Sequence, residues 1–139
     1  MKSLLGKLGV ILIGVLIFGY AEVWGEDWKP YFATELELVF FDTSSITHPS
    51  ENIVRVLVRS DYTEKGVLNW VRDFGKKYEN LSHSIILSEI NCIEKKLRRL
   101  SWVDYDHKGS VIDSTSPPSE WRFIIPESSR EILYNEVCK

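Results

Sequence analysis

The chain has 139 residues with 17 basic and 20 acidic side chains, for a net charge of −3, and it contains two cysteines and five tryptophans. This mild acidity gives the protein no overall electrostatic reason to bind nucleic acid. The length suits one domain with a single modest core, and no internal repeat or low-complexity tract divides the sequence.

The N-terminal residues have the charge and hydropathy pattern of a secretory signal peptide. Lys2 and Lys7 form a positively charged start, and an apolar run follows over residues 8–18. An uncleaved anchor helix is the alternative. That run of 11 residues is shorter than the roughly 20 that a membrane-spanning helix needs, so we expect no stable membrane span after cleavage.

The cleavage point is predicted between Gly25 and Glu26, where Val23 and Gly25 occupy the −3 and −1 positions. We therefore expect a signal peptide over residues 1–25 and one domain over residues 26–139. No cysteine lies near this point, which argues against a lipid anchor. The expected location is the periplasm, the medium or the cell surface.

The two cysteines, Cys92 and Cys138, allow one intramolecular disulfide. In an oxidising compartment an even number of cysteines in a short chain favours a bond. The alternative is a pair of free, buried thiols. If the bond forms, it ties the penultimate residue to the body of the protein.

The first part of the domain is rich in strand signals. Two β-prone pieces span residues 28–34 and 36–42, and a stretch of turn-forming residues follows. The clearest strand covers residues 52–62, where valines alternate with Arg55, Leu57 and Arg59. This alternation predicts an antiparallel sheet with one buried face and one mostly hydrated face.

A helical period replaces the alternation over residues 63–81. Thr63 is a suitable N-cap, although Gly66 and Gly75 weaken a continuous helix. The apolar stripe consists of Val67, Trp70, Val71, Phe74, Tyr78 and Leu81.

The remaining chain predicts further strands and a short helix. Strands are expected over residues 82–92 and 95–106, the latter with a bulge, and over 110–114 after a turn at 106–109. A short segment covers residues 121–126, and Ser128 with Glu131 forms a capping box that starts a C-terminal helix. The predicted fold class is α+β: a single, mostly antiparallel sheet of about six strands, one helix packed on it and a short C-terminal helix.

Few residues suggest a catalytic or metal-binding site. The carboxylates of Asp104 and Asp106 beside His107 could hold a cation, but a hydrated hairpin tip explains the same residues better. A nucleophile formed by Cys92 and His83 would need a free thiol, which export disfavours. The sequence predicts no catalytic residue, no metal site and no cofactor, and so no enzyme.

Several short motifs in order resemble one family. These are Cys92 in "EINC", the Tyr105–Asp106 pair before Gly109, and Trp121 followed by Pro126, Ser128 and Cys138. Together they resemble the surface-adhesin protein E-like domains of Gram-negative bacteria over nearly the whole domain. The resemblance implies an antiparallel sheet carrying a helix, a disulfide from Cys92 to the C-terminal helix, and binding of host matrix or plasma proteins.

The predicted function is therefore that of an exported, non-enzymatic protein-binding domain with an adhesin-like role, whose partner is a matrix or envelope protein. A periplasmic structural or accessory subunit of an envelope assembly is the alternative. Candidate contacts are Arg55 and Arg59, with the Arg98 and Arg99 pair, although such arginines also serve solubility and edge protection. An exposed edge strand could pair with the same strand of a second copy of the chain and form a homodimer.

Overall fold

The computed structural model describes residues 27–116 and 118–139, and in these residues eight strands form one antiparallel sheet. The predicted signal peptide and the cleavage point between Gly25 and Glu26 lie outside the described residues. The strands are β1 (Trp28–Ala33), β2 (Glu37–Asp42), β3 (Thr47–Ser50), β4 (Ile53–Tyr62), β5 (Leu81–Asn91), β6 (Lys96–Asp106), β7 (Val111–Thr115) and β8 (Arg122–Phe123). The α-helices are α1 (Glu64–Phe74) and α2 (Ser129–Val137), and Thr43–Ser45 and Lys76–Tyr78 are short 3-10 helices.

The strand order is β1-β2-β4-β5-β6-β7, with β3 paired to β4 and β8 paired to β6. The prediction of a mostly antiparallel sheet is confirmed, and the expected six or so strands are roughly consistent with the six strands of the main order and the two short strands beside them. One of the additional strands, β3, lies in the stretch predicted as a turn. It pairs Thr47 with Arg55 and Ser50 with Ile53, and the register shifts between these pairs. Pro49 lies in that interval, where a missing backbone donor is tolerated at a sheet edge.

Both helices pack on the same side of the sheet, the helical face, which carries Val56 and Val58. Leu133 of α2 is 2% exposed within this core, and the Trp70 ring of α1 lies 6.4 Å from the Trp102 ring. Full burial of one such aliphatic side chain contributes about 1.5–3 kcal/mol. The core on this face therefore holds both helices to the sheet.

The opposite side of the sheet, the open face, carries Arg55, Leu57 and Arg59. The sequence predicts that this face is mostly hydrated, and this prediction is wrong at its centre. Leu57 is only 5% exposed, and its neighbours on the same face, Ile85 and Leu87, are half-buried. The open face therefore combines an apolar centre with charged residues.

Helix α1 begins as predicted but ends early. The Thr63 hydroxyl accepts a hydrogen bond from the Gly66 backbone N–H at 3.1 Å, which satisfies one donor of the first turn. At the other end Gly75 adopts φ +109°, a conformation that stops the helix. Tyr78 consequently lies in a 3-10 turn and Leu81 begins β5, so the predicted helix over residues 63–81 is wrong beyond Gly75.

The predicted turn and bulge are present in the β5–β6–β7 region. Gly109 has φ +84°, and the Asp106 carboxylate accepts hydrogen bonds from the Lys108 and Ser110 backbone N–H groups, each at 2.9 Å. The β5–β6 register shifts between Leu87 and Ser88. These features close the β6–β7 hairpin and bend the strand that carries much of the candidate site.

Helix α2 is capped by side chains and fixed by the disulfide. The Ser128 hydroxyl accepts from the Glu131 N–H at 3.3 Å, and the Glu131 carboxylate accepts from the Glu127 N–H at 2.9 Å. Cys92 and Cys138 are bonded, with their Cα atoms 5.6 Å apart. The predicted disulfide is thus confirmed, and it joins the end of β5 to the end of the C-terminal helix.

Candidate functional site

The open face contains a wide apolar hollow. It has a volume of about 500 Å³, and its floor is formed by Leu57, Ile85, Leu87 and Val103 from three neighbouring strands. Trp28, at the start of the edge strand β1, also lines it. Concave, mainly apolar sites of this size are the usual form of binding pockets in proteins.

An Arg–Glu–Arg arrangement lies on the same face. Glu89 is 3% exposed, and the Arg55 guanidinium donates two hydrogen bonds to its Oε2 atom, at 2.9 and 2.7 Å. Arg98 donates two to Oε1, at 3.1 and 2.9 Å. Burial by itself would raise the pKa of Glu89, but the hydrogen bonds and positive charges of the two arginines outweigh burial and lower that pKa below its usual value.

A second ion pair and a stacked ring pair lie beside the hollow. Arg59 donates to Asp61 at 2.6 Å, and both side chains are partly exposed. The His83 ring stacks on Tyr105 with the ring centroids 5.1 Å apart. Burial lowers the pKa of His83, and the nearby Arg59 lowers it further. The ring is therefore mainly neutral at pH 7, which suits a surface that contacts apolar groups.

The structure separates the four arginines that the sequence marks as candidate contacts. Arg55, Arg59 and Arg98 lie on the open face. Arg99 pairs with Ser88 on β5 and lies on the helical face, where its guanidinium covers the Trp102 ring at 4.8 Å. Because adjacent strand residues point to opposite faces, the strand period already indicates that Arg98 and Arg99 cannot serve one flat surface.

Sequence reasoning missed the apolar hollow itself. The segment from Ile85 to Leu87 is apolar at consecutive positions, so the strand is apolar on both faces. A run of that kind indicates that each side of the sheet contacts something other than water. That signal was available in the sequence, and it points to the open face.

A polar network lies on the helical face below α1. Asp104 is 4% exposed and accepts hydrogen bonds from the Ser84 hydroxyl at 2.5 Å and the Trp102 indole N–H at 2.6 Å. The Tyr78 hydroxyl lies 3.5 Å from Asp104 and 3.4 Å from Asp113. Burial raises the pKa of Tyr78 to about 12, and the two carboxylates contribute. Buried polar side chains that all have hydrogen-bond partners stabilise the fold.

The candidate cation site at Asp104, Asp106 and His107 is not assembled. The Asp104 carboxylate belongs to the buried network, and the Asp106 carboxylate binds backbone N–H groups of the hairpin turn. Within residues 27–116 and 118–139, no group of three or more histidine, cysteine, aspartate or glutamate side chains has a metal-binding arrangement. In that same part of the chain, no helix is long and apolar enough to cross a membrane.

The fold and the open face define a small disulfide-bonded domain in which two helices cover one face of the sheet and leave the other face free of helices. The family model of the surface-adhesin protein E matches residues 28–139, and the chain belongs to that family. Comparison with curated proteins found no match. Comparison with solved structures found none either.

Proposed function

We propose that this chain is an exported, non-enzymatic domain that binds a protein partner through its open face and has an adhesin-like role. The observation that carries the proposal is the apolar hollow of about 500 Å³ on a sheet face that neither helix covers. Membership of the surface-adhesin protein E family supports a surface-adhesin role in general terms.

The composition of the open face suits a protein interface. Such interfaces have an apolar, aromatic centre with few charges, and arginine is enriched in them. Here Leu87, Val103 and Tyr105 form part of the centre, while Arg55 and Arg98 flank it and are held rigid by Glu89. A guanidinium that is already ordered loses little side-chain entropy on binding. The partner that fits this surface presents an apolar anchor side chain.

Arginine charge reversal is a poor test of this surface. Reversal of Arg55 would leave the buried Glu89 carboxylate beside a second negative charge and would weaken the fold together with any binding. Arg59 pairs with the partly exposed Asp61 instead. Substitution in the apolar centre therefore separates binding from folding more cleanly.

The direct experiment measures binding of the purified protein to a basement-membrane matrix coated on a sensor surface. We expect saturable binding by the wild type and a loss of at least about tenfold in affinity for Leu87→Glu, because this change places a charge at the centre of the hollow. Leu68→Glu is the matched control, since Leu68 lies on α1 and is 64% exposed. Equal affinity of the two variants, with unchanged melting temperatures, would exclude the open face.

The cellular location of the protein distinguishes the adhesin-like role from that of a periplasmic accessory subunit. Trypsin treatment of intact cells should release the peptide that begins at Phe123, since Arg122 and Phe123 are both exposed on the short strand β8. Protection until the outer membrane is broken would favour the accessory subunit. A stable complex with an envelope protein, purified by an affinity tag, would then be the expected companion finding.

A further inference from the structure

A second hollow, the arginine groove, lies on the helical face beside the first turn of α2. It has a volume of about 210 Å³, and its lining includes Ser60, Ser88, Arg99, Arg130 and Leu133. The two serines are 6% and 4% exposed, and neither side-chain hydroxyl forms a hydrogen bond with another residue in the described part of the chain. Since no fully enclosed polar side-chain atom there lacks a partner, both hydroxyls reach the groove.

The arginines of the groove differ from most others in the protein. The chain has seven arginines, and Arg55, Arg59, Arg72 and Arg98 each pair with a carboxylate. The remaining three are Arg99, Arg122 and Arg130, and none lies within 4.0 Å of a carboxylate oxygen of residues 27–116 or 118–139.

The three arginines without a carboxylate partner also act on one another electrostatically. Burial lowers the pKa of Arg99, and the positive charges of Arg130 and Arg122 lower it further. A half-buried guanidinium beside like charges is costly unless an anion joins them. An anion placed between these guanidinium groups would offset that cost.

Other groups in the groove limit the anion that fits. Glu37 lines the groove, so a doubly charged anion would meet a negative charge there. Burial raises the pKa of Tyr31, and Glu37 contributes, which keeps the phenol protonated and able to donate a hydrogen bond. Val58 and Leu133 supply an apolar wall.

We propose that the arginine groove binds a small organic monoanion, with its carboxylate held by Arg99 and Arg130 and its short apolar body against Val58 and Leu133. Planar guanidinium groups match the two oxygens of a carboxylate. The Ser60 and Ser88 hydroxyls complete the polar floor. This site is on the opposite side of the sheet from the open face and does not depend on the proposed function.

The test titrates purified protein with butyrate, with butyramide as the neutral analogue of the same shape, and with inorganic phosphate, all at constant ionic strength. Calorimetry gives the affinity, and the NMR shift of the Trp102 indole N–H reports on the groove. We expect saturable binding of butyrate at least tenfold tighter than that of either other probe. Tighter binding of phosphate, or equal and unsaturable effects of butyrate and butyramide, would overturn the proposal.

Three variants locate the site. Arg99→Gln should weaken butyrate binding at least tenfold, and Arg130→Gln should weaken it while leaving the Arg99–Trp102 contact in place. Ser88→Val should weaken binding by filling the floor without changing any charge. Arg72→Gln is the matched control, because Arg72 is exposed on α1 and paired with Asp73. Wild-type affinity in all three groove variants, each with a native melting transition, would exclude the groove.

Discussion

Arg55 and Glu89 lie directly opposite each other on β4 and β5, and two hydrogen bonds of 2.9 and 2.7 Å join one guanidinium to one carboxylate oxygen. Arg98, which lies on β6, donates two hydrogen bonds to the other oxygen of the Glu89 carboxylate. One buried carboxylate thus crosslinks three strands on the face proposed to bind a partner. The same contacts that order the arginines also stabilise the sheet.

Glu89→Gln should reduce the free energy of unfolding by roughly 1–3 kcal/mol, because hydrogen bonds to a charged group contribute about that much. The arginines are partly exposed, which keeps the effect below that of a fully buried ion pair. Chemical denaturation at pH 7 measures it. Glu94→Gln is the control: Glu94 forms an exposed pair with Lys96 at 3.4 Å and should change stability by less than about 0.5 kcal/mol.

The Glu89 substitution should also change how stability depends on pH. The folded-state pKa of Glu89 is lowered, so this group stabilises the fold above its unfolded pKa of about 4.3. That contribution is lost as the pH falls through the folded pKa. The stability difference between the wild type and Glu89→Gln should therefore shrink on acidification. A difference that stays constant from pH 7 to about pH 3 would contradict this account of the pair.

Gly66→Ala should destabilise the protein although alanine is the better helix former by about 1 kcal/mol. A Cβ atom at Gly66 would lie 2.1 Å from the Leu36 carbonyl oxygen, so α1 would have to move away from β2. We expect a net loss of about 1–3 kcal/mol in thermal or chemical denaturation. Leu68→Ala, at a 64% exposed position of the same helix, should change little. A more stable Gly66→Ala variant would show that α1 can shift freely.

Removal of the disulfide should weaken the attachment of α2. Cys92 and Cys138 are 46 residues apart, and a crosslink over that separation contributes roughly 4 kcal/mol in the chain-entropy model. The double variant Cys92→Ser, Cys138→Ser should lose most of that free energy of unfolding. Tyr134 still donates its hydroxyl to the Cys92 carbonyl at 2.9 Å, so we expect the helix to remain bound but to exchange its amide hydrogens faster.

The control for the disulfide prediction uses a reducing agent. Reductant should lower the wild-type melting temperature toward that of the double variant and leave the double variant unchanged. A wild type insensitive to reductant under denaturing conditions, where the bond is accessible, would contradict a stabilising role for the bond.

Much of the fold could be predicted from local residue patterns. The alternation around Val56, the turn at Gly109 and the cap at Ser128 each depend on neighbours in sequence, and each is confirmed. The end of α1 was harder to predict, because the apolar stripe continues past Gly75 to Tyr78 and Leu81. The helix ends because Gly75 adopts a positive φ, and a new strand then begins at Leu81.

The candidate site depends on contacts that local patterns do not encode. The pairing of Glu89 with two arginines requires the register of three strands, and the hollow at Leu57 requires knowing that both helices lie on the other face. A one-residue change of register moves every side chain of a strand to the other face. Sequence alone therefore placed Arg55 and Arg59 on one face of their strand, but it could not bring Arg98 and Glu89 next to Arg55.

The buried network around Tyr78 should keep the pKa of this phenol high. The Tyr78 side chain is 4% exposed and faces Asp104 and Asp113, and burial with these charges raises its pKa to about 12. NMR of ring-labelled tyrosine, assigned with Tyr78→Phe, should find this phenol still protonated at about pH 11, above the ordinary tyrosine value of about 10. In Asp113→Asn the pKa should fall toward that value, because one negative charge is removed.

The direction of the stability change follows from the raised pKa. Below the unfolded value of about 10, the protonated phenol contributes its full stabilisation, which is lost as the pH rises through the folded pKa. Alkaline conditions should therefore destabilise the wild type more steeply than Tyr78→Phe, which has no proton to lose. Asp73→Asn is the control, since Asp73 is exposed and paired with Arg72. A Tyr78 pKa near 10 in the wild type would mean that the network does not hold the phenol beside the two carboxylates.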